Sequence, residues 1–452
     1  MVCWCSEIVI NILRIVKLNI SDKLFGEIFK GSVFVFFTKI IAVSLGLISN
    51  LLIARNYGAE VVGIISLITS FLAVMGLFST AGMNTSLLRL IPEQIQKYSL
   101  YEAKYIYIKI VKLTMILGGI VSLISLVAIH YGIFNELWGA EMAYWLGWAT
   151  CIIVFANLAA INSIAIRALK KVKMFALLQV VQPTINLSLL ILVILLTNNP
   201  DTPIYAMLLS FLFSFSVSLF LVSTVFPKKT NQPKIVKEYD SKSILSLSFP
   251  MFLSGSVWLV MSHTDTIMIG TFLGPEDVGV YAIVVKVALL SSFVLTSINS
   301  VLAPKIAEVY YGGREKDLIK IARKSSKLIF YSTSPILLFI ILLGHEILDG
   351  FGSEFNVGYY PLVLLALGQF INSICGSVGY FMNMTGHQKT FNKIVLFSGA
   401  LNIALNYLLI PLYGLIGAAL ASLIANTAWN VSSLIFIKKK FGFYMGYLPK
   451  FS

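Results

Sequence analysis

Lys39, Asp265 and Lys286 each sit inside a run of more than twenty residues that holds no other Asp, Glu, Lys or Arg. An ionisable group at such a position costs roughly 2.5–3.5 kcal/mol on insertion scales, so it is retained facing a partner or a water-filled cavity. A buried ammonium attracts anions as a point charge, and an isolated carboxylate can hold a cation. Two readings of Asp265 and Lys286 stay open. Asp265 lies about 12 Å from the end of its run and Lys286 about 9 Å down the next, so the two can form an ion pair that fixes helix packing. Alternatively they line a polar lumen, where Lys286 binds an anionic group and Asp265 exchanges a coupling cation, Na+ or H+. Lys39 has no carboxylate in its own run or the next. On a 3.6-residue period it shares a face with Gly46 and Asn50, which makes that stripe cationic and polar. Snorkelling of Lys39 to the interface is the plainer alternative.

Other polar residues extend the candidate set. Arg89 can grip phosphate oxygens bidentately, or act as an ordinary charge anchor. Trp258, in register with Ser254 and Asp265, can stack on a sugar ring or pack in a core. Asn157, Asn162, Asn372, Asn402 and Asn406 carry amides within apolar runs, where most serve as hydrogen-bonded glue between helices. Asn402 and Asn406 lie four residues apart on one face and act together.

The elements that position these groups follow from composition. Of 452 residues, 58% are hydrophobic and only 12% charged, against roughly 25% charged in soluble domains, so lipid is the solvent. Twelve apolar runs reach the length of about 20 residues needed to cross a bilayer: 31–53, 62–88, 107–130, 142–166, 174–197, 204–226, 244–273, 279–303, 328–348, 359–383, 392–412 and 414–437. The expected fold is an all-α integral membrane protein. Thirty-one of the 34 Lys and Arg fall on one side of this threading and only Arg55 on the other, which predicts a multi-pass cell-membrane protein with both termini cytoplasmic. The net charge of +14 is dispersed over seven segments and fits anionic lipid as partner, not nucleic acid. Residues 1–30 lack a signal-peptide pattern and read as an interfacial helix. The four cysteines suggest no metal site.

The chain also matches itself at a displacement of 216 residues. Gly58-Ala-Glu60-Val-Val-Gly63 lies over Gly274-Pro-Glu276-Asp-Val-Gly279, and Lys173, Phe175 and Asn186 lie over Lys389, Phe391 and Asn402. Six spans per copy predict parallel repeats about an axis along the membrane normal. The expected layout is two six-helix lobes, 31–226 and 244–437, joined by a cytoplasmic linker at 227–243 and followed by a cytoplasmic tail at 438–452. The Gly58 and Gly274 segments themselves read as tight turns.

Residues 53–63, Gly82 to Arg89, Gly274 to Tyr281 and Asn402 to Gly417 resemble the polysaccharide flippases of the multidrug, oligosaccharidyl-lipid and polysaccharide exporter superfamily. The resemblance covers about residues 25–440. It implies two six-helix lobes around a central cavity that faces the cytoplasm and the exterior in turn. Together with the in-span polar groups, this gives as the expected function the movement of polyprenyl-diphosphate-linked oligosaccharide from the cytoplasmic to the outer leaflet, with Lys39, Asn50, Arg89, Trp258 and Lys286, read from their charge and position, as substrate-binding candidates and Asp265 as the ion-coupling one. No enzymatic step and no cofactor beyond the coupling ion is expected. A cation-coupled multidrug exporter, a polyprenyl-dependent glycosyltransferase or ligase, and a scaffold for glycan-assembly proteins are the alternatives. Two interior lysines against one aspartate weigh against the exporter. The shortness of the external loops weighs against the enzyme.

Overall fold

In the computed structural model, residues 23–197, 199–227 and 240–447 are described. They are helical throughout, with no strand among the described residues. The helices are α1 (Lys23–Thr80), α2 (Met83–Lys97), α3 (Leu100–His130), α4 (Ile133–Ala168), α5 (Val172–Leu196), α6 (Thr202–Val225), α7 (Ser241–Phe272), α8 (Pro275–Leu289), α9 (Ser292–Tyr311), α10 (Glu315–Leu342), α11 (Gly344–Asp349), α12 (Tyr359–Cys375), α13 (Val378–Met384) and α14 (Gln388–Phe441). Three of them hold two arms joined at a non-helical glycine: α1 at Gly58, α4 at Gly139 and α14 at Gly414. In α1 and α14 both arms are long enough to cross, so each supplies two crossings; in α4 the first arm is a short segment, 133–138.

Twelve spans follow. Span one is the first arm of α1, and span two its second arm with α2. Spans three to seven are α3 to α7, span eight is α8 with α9, span nine α10, span ten α12 with α13, and spans eleven and twelve the arms of α14. They form two lobes of six. The 216-residue displacement recurs in the element boundaries. Val172 and Gln388 open equivalent helices, Ala168 and Met384 close the preceding ones, and Val225 and Phe441 end each lobe.

Chain reversal falls to glycine for a steric reason. Gly58 (φ 83°, ψ 179°) and its repeat mate Gly274 (φ 119°, ψ 179°) occupy a region closed to side chains with a Cβ. Pro275 opens α8 directly after Gly274, with Glu276 and Asp277 in its first turn. Proline suits a first helical position because its missing N–H would have no intrahelical partner there, and the carboxylates complement the helix dipole. Span eight therefore begins four residues before the apolar run at 279. Three spans are broken within their length, at Ala81–Gly82, between Leu289 and Ser292, and at Gly376–Ser377.

At the chain ends the described residues bear on only part of the expected segments. Residues 1–22 of the expected interfacial segment, like linker residues 228–239, lie outside the described residues, and Lys23–Lys30 continue span one as unbroken helix. The tail does not simply trail away. After Gly442 caps α14 in a left-handed conformation (φ 71°), Phe443 and Met445 are buried in the C-terminal lobe. Tyr447 N–H donates to Ile374 O (2.9 Å), just before the break in span ten, and Arg323 Nε donates to Tyr444 O (3.3 Å).

Candidate functional site

Asp265 is 9% exposed on span seven and accepts four hydrogen bonds. Its Oδ1 takes Asn406 Nδ2 (2.7 Å) and Asn402 Nδ2 (3.3 Å); its Oδ2 takes Tyr281 OH (2.8 Å) and Ser422 Oγ (2.5 Å). Spans seven, eight, eleven and twelve thus converge on one carboxylate inside the C-terminal lobe. Asn402 and Asn406 act together, as their spacing on one face predicts. Their Oδ1 atoms are buried and have no hydrogen-bond partner. A half-turn of either amide exchanges nitrogen for oxygen at the carboxylate, so the same side chains offer a donor shell or an all-oxygen shell. Such oxygens suit a hard monovalent cation or a proton. No group of three or more His, Cys, Asp or Glu that could hold a metal occurs among the described residues.

The ion pair between Asp265 and Lys286 does not form. Because α8 starts at Pro275, Lys286 lies about 16 Å along it and Tyr281 about 9 Å; Tyr281, not Lys286, is level with Asp265. Lys286 instead donates to Asn50 Oδ1 (2.8 Å), while Asn50 Nδ2 donates to Gly46 O within span one. An ammonium from one lobe is therefore held by a neutral amide from the other. Of the stripe read as Lys39, Gly46 and Asn50, Asn50 meets span eight, while a Cβ on Gly46 would meet open space. Lys39 is exposed about 16 Å further along span one, three turns from Asn50.

Arg89 stands apart from these groups. It is exposed on α2, its Nε 3.7 Å from Glu93, which also pairs with Lys97 at 2.9 Å. The side chains of Trp258 and Ser254 lie outside the described residues. Asn162 takes the gluing role expected of in-span amides, accepting from Tyr107 OH (2.7 Å) and donating to Ser218 Oγ (3.0 Å).

The lobes meet along spans two and seven as well. His263 Nδ1 lies 3.0 Å from Ser70 Oγ. Nearer the termini, Ser248 Oγ donates to Ser86 Oγ (2.8 Å), and a Cβ on Gly82 would stand 2.4 Å from Ser248 O. Only glycine at position 82 allows the backbones this close. At the opposite end Leu67 packs on Gly270. Residues sequence reasoning missed are Tyr281 and Ser422, which complete the Asp265 shell, and Glu354, which with Arg55, noticed only as an exception to the charge rule, joins the lobes at the Gly58 end.

A polytopic bundle of two repeated lobes, with polar groups concentrated where the lobes meet and within one of them, has the layout of a membrane transporter. Residues 28–310 match the model of the polysaccharide biosynthesis protein family, and the chain belongs to that family. Residues 250–408 also match the MatE family model. A probable low-salt glycan biosynthesis flippase, Agl15 of Haloferax volcanii, is 22% identical over 420 residues, covering 91% of this chain and 85% of the relative. The capsular polysaccharide biosynthesis protein CapF of Staphylococcus aureus is 23% identical over 260 residues, 57% of this chain and 65% of that protein. Among solved structures, an inward-facing multidrug resistance MATE transporter superposes with TM-score 0.72 at 16% identity, covering 89% of this chain and 98% of that one. The lipid II flippase MurJ in an inward closed conformation gives 0.70 at 19% identity, with 91% and 89% covered. At these identities the structural likeness establishes the shared fold.

Proposed function

We propose that this protein is a flippase that moves polyprenyl-diphosphate-linked oligosaccharide from the cytoplasmic to the outer leaflet by rocking its two lobes. The observation that carries the reading is the Lys286 ammonium at the lobe interface, held by the Asn50 amide and by no carboxylate among the described residues. Its charge is not cancelled, and Lys39 lies on the same stripe. A diphosphate entering between the lobes would replace a neutral acceptor by an anionic one, which strengthens the hydrogen bond. The relatives named as glycan flippases support the cargo class.

The concentration of Lys and Arg at the end that carries the termini supports a cytoplasmic location for that end. An inside-negative potential then assists outward movement of a dianion by ~2.3 kcal/mol per charge per 100 mV. The Asp265 shell is the coupling site in this reading, taking Na+ or H+ as its carboxylate is released from and returned to the amides. Moving the cargo requires no bond to be made or broken.

A cation-coupled multidrug exporter is the second reading, favoured by the MatE match over residues 250–408. Binding separates the two. Purified protein should bind polyprenyl diphosphate more tightly than the monophosphate, with loss on Lys286→Met, and should not bind the lipophilic cation tetraphenylphosphonium. Tight binding of that cation with indifference to the diphosphate would select the exporter.

A further inference from the structure

The paired Gly58 and Gly274 turns do more than reverse the chain. A Cβ on Gly63 would stand 1.6 Å from Pro275 O, and a Cβ on Gly279 1.9 Å from Ala59 O. Ala59 and Pro275 are repeat mates, as are Gly63 and Gly279, so one contact is made twice about a local twofold. Spans two and eight cross there at backbone distance.

Two sets of hydrogen bonds flank the crossing. On one side Arg55 Nε donates to Gly350 O (2.7 Å), Arg55 Nη2 donates to Asp349 O (2.9 Å), and Ala59 N–H donates to Glu354 Oε1 (2.6 Å). On the other, Trp138 Nε1 donates to Thr271 Oγ1 (3.0 Å). Thr271 lies 216 residues after Arg55, and Glu354 lies 216 residues after Trp138. The two flanks therefore occupy equivalent positions of the repeat and carry different chemistry. One uses a guanidinium and a carboxylate in three bonds; the other uses an indole and a hydroxyl in one.

We propose that these flanks are two unequal latches holding the lobes together at this end, and that the Arg55–Glu354 latch contributes most of the closure. Bonds with an ionised partner are roughly twice as strong as neutral ones, and three are made against one. The bundle would then part first at the Trp138–Thr271 flank and hinge about the charged one. The inference rests on the rocking motion proposed above, and its test is separable from transport.

Ser66 is buried on span two, about 4.5 Å along it from Gly63 and next to Leu67, which packs on Gly270 of the other lobe. Ser66→Cys, in protein whose four native cysteines are replaced by serine, reports opening through its labelling rate with a membrane-impermeant maleimide. Glu354→Ala combined with Arg55→Gln should raise that rate about tenfold, and Trp138→Phe about twofold. Both sets of residues lie at or near the surface, so these variants fold. A Trp138→Phe effect as large as that of the charged pair, or no effect of the charged pair, would overturn the proposal. Gly63→Ala, which forces the crossing apart, tells the two levels apart. If it speeds labelling where the charged pair does not, the gate stands and the latch falls. If neither speeds labelling, the rocking motion itself falls.

Discussion

Replacing Asp265 with asparagine and with alanine separates the charge of the shell from its packing. Alanine removes an acceptor of four hydrogen bonds and strands Tyr281 OH, Ser422 OH and the Asn406 NH2 in the lobe interior, while the Asn402 NH2 keeps Ser422 Oγ (3.3 Å) as a second acceptor. Hydrogen bonds between membrane helices average about 0.6 kcal/mol, and an ionised acceptor roughly doubles that. Loss of all four then costs between about 2 and 5 kcal/mol. Asparagine keeps most of the network, because the two hydroxyls can rotate to accept from its NH2 and the neighbouring amides can turn. Its cost is below about 1 kcal/mol on the same scale. Cation binding behaves differently, since either variant removes the only formal negative charge in the shell. Sodium at a hundred times its dissociation constant would stabilise the wild type by about 2.7 kcal/mol. The assay is thermal unfolding in detergent with sodium against choline, at several pH values to register proton competition. Wild type should gain stability with sodium, Asp265→Asn should fold normally and gain none, and Asp265→Ala should unfold at lower temperature in both salts. An Asp265→Asn protein that keeps the sodium-dependent shift would refute the reasoning.

Lys286→Met should reduce binding of polyprenyl diphosphate by at least about tenfold while leaving the unfolding temperature nearly unchanged, because it removes one hydrogen bond at a half-buried site; equal diphosphate affinity in isothermal titration would contradict this. Lys39→Met should act in the same direction with a smaller effect, measured in the same titration. Arg89→Gln should change transport less than twofold, since its exposed pair with Glu93 contributes little, and a tenfold transport defect would show that Arg89 meets the cargo. Deleting residues from Phe443 onward exposes the sites of two buried side chains and frees Ile374 O at the break in span ten, so the C-terminal lobe should lose about 3 kcal/mol, seen as an earlier unfolding transition.

The twelve spans, the repeat and the in-span charges were legible because each follows from a one-dimensional signal: run length, displacement, or a charge in an apolar stretch. Partnership was legible only where it is local. Asn402 and Asn406 share a helix face and could be paired on paper, but Ser422 reaches Asp265 from the next span. The mistaken level of Lys286 has a specific origin: the apolar run begins at Val278–Gly279, whereas the helix begins at Pro275. Proline and two carboxylates directly after Gly274 were the available cue. Arg55 was visible as the one basic residue on its side of the membrane, an exception to the charge rule that its hydrogen bonds to Asp349 and Gly350 now explain. Gly63 and Gly279 looked like turn residues because nothing in a sequence marks backbone contact between distant helices.

Leaflet exchange in proteoliposomes tests the central claim most directly. Vesicles holding purified protein and a fluorescent polyprenyl-diphosphate oligosaccharide are treated with an impermeant quencher, and the fraction accessible is followed in time. Rapid loss of the protected inner-leaflet pool with wild-type protein, slowed at least about tenfold by Lys286→Met, is the predicted result. A protected pool as stable as in protein-free vesicles, or exchange that ignores Lys286, would contradict the account.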